Sequence, residues 1–231
     1  MTKKAVVILS GGLDSTTCMG IAQDCGYEVY PITFDYGQRQ LREIENARSV
    51  ASFYGAADRH KVISLAFLKE FGGSALTDLS IDVPPAGVSG TASDIPVTYV
   101  PGRNLLFLSI ATSYAEVIGA EAIYIGVNAL DYSGYPDCRP EFIRKVEEVM
   151  ALATRVGVEG VPIRIETPLI HWTKAEIIRE GERLGVPYGL TTSCYNGQDE
   201  ACGECDSCRL RLKGFEAAGL SDPIAYRGGE E

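Results

Sequence analysis

A glycine-rich turn between an apolar run and a helical stretch is the feature that most constrains how this chain folds. Residues 5–9 are apolar, the stretch Ser10-Gly-Gly-Leu-Asp-Ser15 follows them directly, and residues 13–25 are compatible with a helix. Backbone N–H groups left free at such a turn, together with the positive end of the helix dipole, favour the binding of a di- or triphosphate. The sequence therefore predicts a strand, a phosphate-binding loop and a helix, in that order.

This loop differs from two common phosphate-binding motifs, since it lacks the Gly-Lys-Ser/Thr ending of the P-loop and the Gly-x-Gly-x-x-Gly pattern. It resembles the loop of the PP-loop ATPases, whose signature is Ser-Gly-Gly-x-Asp-Ser and which split ATP between its α- and β-phosphates. The resemblance implies that the loop holds the leaving pyrophosphate and exposes the α-phosphorus. The alternative is a tight turn that has glycines for steric reasons alone. The predicted ATP-binding residues are Leu9, Ser10, Gly11, Gly12, Leu13, Asp14, Ser15, Thr16, Thr33 and Phe34.

Short β-rich runs alternate with longer helical stretches along the chain. The predicted strands cover residues 5–9, 28–34, 61–65, 122–127 and 163–166, and the predicted helices cover 13–25, 39–54, 104–119, 140–155 and 174–184. Such alternation is typical of an α/β fold with a doubly wound parallel sheet, here five-stranded. The resemblance of the loop implies that the fold is of the PP-loop ATPase (adenine nucleotide α-hydrolase-like) type. We expect the α/β domain to span residues 1–190, with a C-terminal segment, residues 191–231, packed on it.

Charge and hydropathy exclude several classes of protein. The 231 residues carry a formal net charge of -10, which argues against binding a nucleic-acid backbone by bulk electrostatics. No apolar stretch approaches the length of a membrane span, and the apolar run after the first four residues is too short for a secretory signal. We therefore expect a cytoplasmic protein without nucleic-acid or membrane partners.

A group of cysteines near the C-terminus predicts a metal site. Four thiolates at this spacing suit a closed tetrahedral zinc site, which leaves no position for water and is therefore structural. An iron–sulfur cluster and reduced cysteines without metal are the alternatives. The predicted zinc ligands are Cys194, Cys202, Cys205 and Cys208. The basic residues that would offset the thiolate charge are Arg209, Arg211 and Lys213.

Two segments between these motifs suggest a substrate. Arg103 and Asn104 follow Val100-Pro-Gly at the start of a predicted helix, and residues 131–140 combine two tyrosines, two carboxylates and an arginine. A planar heterocycle needs stacking surfaces, its N–H edge needs a carboxylate, and an acid needs an arginine. The alternative is a turn that only caps the next helix. Residues 72–94 have no periodicity, and form either a mobile lid or a surface excursion.

Together these motifs resemble those of the 7-cyano-7-deazaguanine synthases of the queuosine precursor pathway, over nearly the whole chain. The resemblance implies that ATP and ammonia convert 7-carboxy-7-deazaguanine into the 7-cyano compound, by adenylation first of the carboxylate and then of the amide. It also implies magnesium with the ATP, and a homodimer. The implied substrate-binding residues are Arg103, Asn104, Asp131, Tyr132, Ser133, Tyr135, Asp137 and Arg139.

The implied catalytic residues are Lys174, Asp14 and Arg103. Lys174 matches a lysine at the start of a late helix in several PP-loop enzymes, where it would neutralise charge on the α-phosphate. The alternative is a solvated lysine, although a cation at a helix N-terminus opposes the helix dipole. His171 is a weaker candidate, for moving a proton.

Three other functions stay open at this stage. A PP-loop enzyme with cysteines can modify tRNA, for instance by thiolation, although no basic region supports this. A zinc-stapled nucleotide-binding module without turnover is a second alternative. A relative that attaches the deazaguanine to a protein, instead of releasing the nitrile, is a third.

Overall fold

The computed structural model describes residues 2–39, 42–84, 86–87, 95–130, 134–196 and 200–227. Within them, five parallel strands form one sheet in the order β3-β2-β1-β4-β5. The strands are β1 (Lys4–Ile8), β2 (Glu28–Asp35), β3 (Lys61–Ser64), β4 (Ala122–Tyr124) and β5 (Arg164–Glu166). The predicted doubly wound, five-stranded parallel sheet is confirmed, although β4 is half as long as expected.

Eight α-helices accompany the sheet in the described residues. They are α1 (Leu13–Asp24), α2 (Arg42–Phe53), α3 (Phe67–Phe71), α4 (Arg103–Ile118), α5 (Pro140–Ala153), α6 (Arg155–Val158), α7 (Lys174–Arg183) and α8 (Asp206–Ala218). The five predicted helices are confirmed to within three residues at each end, whereas α3, α6 and α8 were not among the predicted ranges. None of the described helices combines the length and the apolar character that a membrane crossing needs.

Side-chain capping sets two of these helix boundaries. Thr154 is extended and its hydroxyl accepts a hydrogen bond from the N–H of Gly157, so α5 ends before it and α6 begins after it. The predicted helix over 140–155 is thus two helices. At α7 the predicted capping box is confirmed, because Glu176 accepts from the N–H of Thr173 while Thr173 accepts from the N–H of Glu176.

Alternate side chains of β1 lie in two hydrophobic cores. Val6 and Ile8 pack with residues of α4 and α5, whereas Ala5, Val7 and Leu9 pack with residues of α1, α2, α7 and α8. Since β1 lies between β2 and β4, the helices that follow β1 and β4 cover opposite faces of the sheet. The carboxyl ends of these two strands therefore open a crevice, the usual ligand site of such a sheet.

The C-terminal part of the chain packs on the same core. Phe215 of α8 lies in the hydrophobic cluster of α1 and α7. Arg211 is almost fully buried, and its guanidinium donates to the carboxylate of Asp222, to the hydroxyl of Thr191 and to the carbonyl of Tyr188. The expectation that Arg211 offsets the thiolate charge is therefore wrong, because this arginine is paired with a buried carboxylate.

Residues 72–94 were expected to form a mobile lid or a surface excursion, but the first part of this segment forms neither. Residues 74–77 are buried, and Ala75 donates to the carbonyl of Val97. Arg39 holds the segment from the other side, through its N–H to the carbonyl of Leu76 and through its guanidinium to the carbonyl of Asp78. Residues 88–94 lie outside the described residues.

Candidate active site

A cleft of about 220 Å³ opens at the carboxyl ends of β1, β2 and β4. Its walls come from the loop after β1, the segment after β2, the first turns of α2 and α4, and residues 125–128 after β4. The predicted site residues that line it are Leu9, Ser10, Gly12, Leu13, Asp14, Ser15, Phe34, Arg103, Asn104 and Tyr135. The cleft thus brings the predicted phosphate loop and part of the predicted substrate site together.

Internal hydrogen bonds fix the shape of the loop after β1. The N–H of Ser10 donates to the Ser15 hydroxyl at 3.1 Å, and the two hydroxyls lie 2.9 Å apart. The N–H of Gly12 donates to Ser10 Oγ at 3.3 Å, and the Thr16 hydroxyl donates to the carbonyl of Gly12 at 2.8 Å. These bonds turn the chain through the loop and direct the N-terminus of α1 at the cleft, where an anion would bind.

Close backbone contacts explain why glycine occurs in this loop. Gly11 has φ +80, and a Cβ there would lie 2.3 Å from the carbonyl oxygen of Glu43 and 2.8 Å from the backbone N of Ala47. The loop therefore rests directly on the first turns of α2. Across the cleft, a Cβ at Gly126 would lie 3.0 Å from the backbone N of Ser15, so the chain after β4 also packs on the loop.

Two predicted ATP-binding residues serve the framework and do not line the cleft. Thr16 is fully buried against the Gly12 carbonyl. Thr33 donates to the carbonyl of Leu9 at 2.6 Å and is hydrogen-bonded to His60 Nε2 at 2.8 Å, which ties β2 to the end of β1. The backbone of Gly11 faces α2 and is likewise not part of the lining.

An ion pair joins α7 to the loop. The Nζ of Lys174 lies 2.7 Å from Oδ1 and 2.9 Å from Oδ2 of Asp14, and both side chains are mostly buried. Gly214 of α8 makes room for the lysine, since a Cβ there would lie 2.4 Å from Lys174 Cγ. The lysine therefore reaches the phosphate loop along the surface of α8, and is not a solvated residue.

Arg103 lies at the start of α4 with unused hydrogen-bonding capacity. Its Nη1 donates to the hydroxyl of Tyr36 at 3.2 Å, and the guanidinium lies over the rings of Tyr36 and Phe107. Its Nε is buried and has no hydrogen-bond partner among the described residues. Because a buried N–H donor without a partner is costly, this geometry favours an acceptor on a bound ligand.

The predicted substrate residues next to Arg103 are largely engaged with one another. Asp137 accepts from the N–H of Asn104 at 3.1 Å, and the Asn104 amide donates to the carbonyl of Asp137 at 3.1 Å. The Asp137 carboxylate thus caps the N-terminus of α4. Burial, together with Asp137, raises the pKa of Cys138 to about 12, so its thiol stays protonated and is a poor nucleophile.

Of the remaining predicted substrate residues, one lines the cleft, one is exposed outside it, and three lie outside the described residues. The Tyr135 hydroxyl is hydrogen-bonded to the hydroxyl of Thr98 at 2.6 Å. Arg139 is exposed and is not part of the cleft lining. The predicted residues that lie outside the described residues are Asp131, Tyr132 and Ser133.

Several lining residues were not predicted from the sequence. Arg39 and Glu43 stand out because they are charged and follow β2 by a few residues. Both follow the carboxyl end of β2, which borders the crevice of such a sheet, and this position is the signal that would have found them. The other unpredicted lining residues include Gln38, Phe107, Thr192, Ser193, Tyr195 and Ser207.

The four predicted metal-binding cysteines form a cluster of their own and do not line the cleft, although their chain neighbours Ser193, Tyr195 and Ser207 do. Their sulfur atoms all lie within 4.8 Å of one another, and the Sγ atoms of Cys202 and Cys208 are 3.9 Å apart. Zn–S bonds of about 2.3 Å in a tetrahedron give sulfur–sulfur distances of roughly 3.8 Å. The N–H groups of Asn196 and Cys202 each point at the sulfur of Cys194 at 3.4 Å, which stabilises a thiolate. The donor set therefore fits one metal ion.

Comparison with known proteins identifies close relatives. The chain matches the model of the queuosine biosynthesis protein QueC family over residues 4–219. A 7-cyano-7-deazaguanine synthase of Oceanobacillus iheyensis is 62% identical over 224 residues, which are 97% of this chain and 98% of the relative. One of Saccharophagus degradans is 60% identical over 226 residues, again 97% of this chain and 98% of the relative.

Two solved structures are similar in fold. A 4-thiouridine synthetase in complex with RNA and bound ATP has a TM-score of 0.52 at 19% identity, over 94% of this chain and 53% of that chain. The NMN synthetase from Francisella tularensis has a TM-score of 0.51 at 16% identity, over 95% of this chain and 79% of that chain. At these identities the likeness shows the fold alone.

Proposed function

This chain belongs to the family of the queuosine biosynthesis protein QueC, and we propose that it is a 7-cyano-7-deazaguanine synthase, a ligase that forms C–N bonds at the expense of ATP. The reaction converts 7-carboxy-7-deazaguanine and ammonia into the 7-cyano compound. ATP activates the carboxylate as an acyl adenylate, ammonia displaces AMP to give an amide, and adenylation of the amide oxygen then allows the nitrile to form.

The main observation behind this proposal is that the phosphate loop and Arg103 line the same cleft. The loop presents the N-terminus of α1 to an anion, and Arg103 offers a buried N–H that has no acceptor among the described residues. An acid held by Arg103 and a triphosphate held by the loop would therefore meet in one site. Holding both reactants in line lowers the entropic part of the barrier.

The roles of the loop residues follow from charge. The pyrophosphate leaves through the loop, where the N-terminus of α1 stabilises its negative charge. Asp14 aims the lysine at the loop, and Lys174 shifts from Asp14 towards the α-phosphate as charge builds there. The predicted ATP-binding residues Thr33 and Thr16 support the loop from behind, through bonds to the carbonyls of Leu9 and Gly12.

The heterocycle occupies the side of the cleft that Tyr135 and α4 form. Arg103 binds the carboxylate, and the ring of Tyr135 supplies a stacking surface. Asn104 and Asp137 hold the start of α4 in position. We assign the N–H edge of the heterocycle to the segment with Asp131, Tyr132 and Ser133, and keep Arg139 as a peripheral contact.

The cysteine cluster holds one structural zinc ion. Four sulfurs within 4.8 Å suit a single ion, whereas a four-iron cluster is larger and holds its cysteines farther apart. ATP binds as its magnesium complex, as is usual for nucleotides. We further propose that the enzyme is cytoplasmic, since its reduced cysteines suit that compartment, and that it acts as a homodimer.

A mass-spectrometric time course tests the proposal. Purified protein is given ATP, magnesium, ammonium and 7-carboxy-7-deazaguanine, and both the heterocycle and the adenine nucleotides are followed. We expect the acid to pass through the amide to the nitrile while AMP appears. ATP binding with unchanged acid would overturn the proposal.

Two arginine variants sharpen that test. Arg103→Met should lower conversion about 100-fold, because a charged hydrogen bond to the reacting carboxylate is lost. Arg155→Met removes an exposed arginine of α6 that pairs with Glu159, and should behave as the wild type. Equal activity of the two variants would contradict the role of Arg103.

A further inference from the structure

Glu43 is a cleft carboxylate that none of the roles above uses. Among the described residues, the carboxylates that line the cleft are those of Asp14 and Glu43. Asp14 is held by both of its oxygens on Lys174. Glu43, in the first turn of α2, has neither a hydrogen bond nor an ion pair within the described part of the chain.

Glu43 lies between the phosphate loop and Arg103, the two parts of the proposed site. Its backbone carbonyl lies against Gly11 of the phosphate loop, so the residue sits beside the end of ATP that the loop holds. Its carboxylate interacts electrostatically with Arg103 and with the hydroxyl of Tyr36. Glu43 is therefore next to the group that binds the reacting acid.

The environment of Glu43 favours a carboxylate that exchanges protons near neutral pH. Burial raises the pKa of Glu43 to about 7, although the Arg103 guanidinium opposes this shift. A general base works best when its pKa is close to the working pH. The other titratable or charged side chains that line the cleft around it are Asp14, Tyr36, Arg39, Arg103, Tyr135, Cys138 and Tyr195.

The proposed reaction needs a base at two steps. Amines are protonated at neutral pH, so ammonium must lose a proton before its nitrogen can attack the acyl adenylate. Later, the adenylated amide must lose its last N–H proton for the nitrile to form.

We propose that Glu43 is the general base that takes these protons, an inference that rests on the proposed function. In the first step ammonium gives a proton to the Glu43 carboxylate, and the resulting ammonia bonds to the acyl carbon. The bond from that carbon to the AMP oxygen breaks with its electron pair, and the nitrogen releases a second proton to water. The products are the amide and AMP, and Glu43 returns its proton to solvent.

The second step uses the same carboxylate. After adenylation of the amide oxygen and loss of one N–H proton to water, the intermediate has one N–H left. Glu43 takes this proton while the bond from carbon to the AMP oxygen breaks, and the electron pair of the N–H bond completes the triple bond. Nitrile and AMP leave, so atoms and charges balance.

The test separates adenylation from the nitrogen steps. Exchange of labelled pyrophosphate into ATP, with the acid present and ammonium absent, measures adenylation alone. Amide formation is then measured at several ammonium concentrations and pH values. In Glu43→Gln we expect the exchange rate to stay within about twofold of the wild type, while amide formation falls about 100-fold at neutral pH. The deficit should shrink as the pH approaches the pKa of ammonium, because solution then supplies free ammonia.

The exchange rate also shows that the variant is folded. Glu45→Gln is the matched control, because Glu45 is an exposed carboxylate of the same helical turn, and it should leave both rates unchanged. Equal loss of exchange and amide formation in Glu43→Gln would overturn the proposal and assign Glu43 to binding of ATP or its magnesium. Unchanged amide formation would also overturn it. Absence of acid-dependent exchange in the wild type would instead refute the proposed function itself.

Discussion

Lys174 and Asp14 form an ion pair in which the lysine Nζ lies 2.7 Å from Oδ1 and 2.9 Å from Oδ2 of the carboxylate. The pair joins the first turn of α7 to the first turn of α1. A cation at a helix N-terminus is unfavourable by itself, since it opposes the helix dipole. The pair offsets this cost and places the ammonium group at the phosphate loop. The position of Lys174 is thus explained by the partner it meets and not by helix propensity.

Replacement of Lys174 by methionine should destabilise the protein. The side chains of Lys174 and Asp14 are 10% and 18% exposed, so loss of the lysine leaves a mostly buried carboxylate without its partner. We expect the free energy of unfolding in urea to fall by about 2–4 kcal/mol. The control is Arg183→Met, which breaks exposed pairs with Glu180 and Asp24 and should cost less than about 1 kcal/mol. Similar losses in the two variants would contradict this account.

Addition of a single methyl group at Gly214 should displace Lys174. A Cβ at this position would lie 2.4 Å from Lys174 Cγ and 2.9 Å from Ile178 Cδ1, both closer than real contacts. Gly214→Ala should therefore lower the free energy of unfolding by about 1–3 kcal/mol. Acid-dependent pyrophosphate exchange should fall as well. Glu216→Ala, an exposed change on the same helix, should alter stability by less than about 0.5 kcal/mol. A Gly214→Ala variant with normal exchange would show that the lysine is not held by this packing.

Local patterns in the sequence predict most of the fold and part of the site. The strand, loop and helix around Ser10 were predictable because each follows from residues close in sequence. The capping box at Thr173 is local for the same reason. Arg39 and Glu43 were missed because their roles depend on which side chains the sheet order brings to β2, and the sequence does not state that order. Arg211 was misassigned for a similar reason, since its partner Asp222 lies beyond the end of α8.

The cysteine cluster should hold one zinc ion per chain that is required for stability. Elemental analysis of purified protein is expected to find zinc and no iron. Cys205→Ser should lose the ion and lower the free energy of unfolding by about 3 kcal/mol, equivalent to a Tm decrease of roughly 6–12 °C. Cys25→Ser is the control, because Cys25 is exposed and is not part of the cluster, so it should keep the metal. Retention of a full zinc ion by Cys205→Ser would contradict a four-cysteine site.

Glu43 should make the protein less stable at alkaline than at acidic pH. The folded chain holds the pKa of Glu43 at about 7, raised mainly by burial from 4.5. Below pH 4.5 the carboxyl is protonated in both folded and unfolded chains, so it contributes no difference. As the pH rises, the unfolded chain ionises first, and the folded state loses stability until the pH passes the folded pKa. Replacement by glutamine removes this loss.

We therefore expect Glu43→Gln to be more stable than the wild type at about pH 8, by about 1–2 kcal/mol, because partial exposure screens the carboxylate. The advantage should shrink to near zero below pH 4.5, where the carboxyl is protonated in both states. Urea unfolding at several pH values measures the difference. Glu45→Gln changes an exposed carboxylate of the same helix. Its free energy of unfolding should differ from that of the wild type by the same amount at every pH. If the difference in free energy of unfolding between Glu43→Gln and the wild type is also the same at every pH, the folded protein does not hold this carboxyl in its neutral form. If Glu43→Gln is both more stable than the wild type at alkaline pH and defective in amide formation, the Glu43 side chain contributes to catalysis although it destabilises the fold.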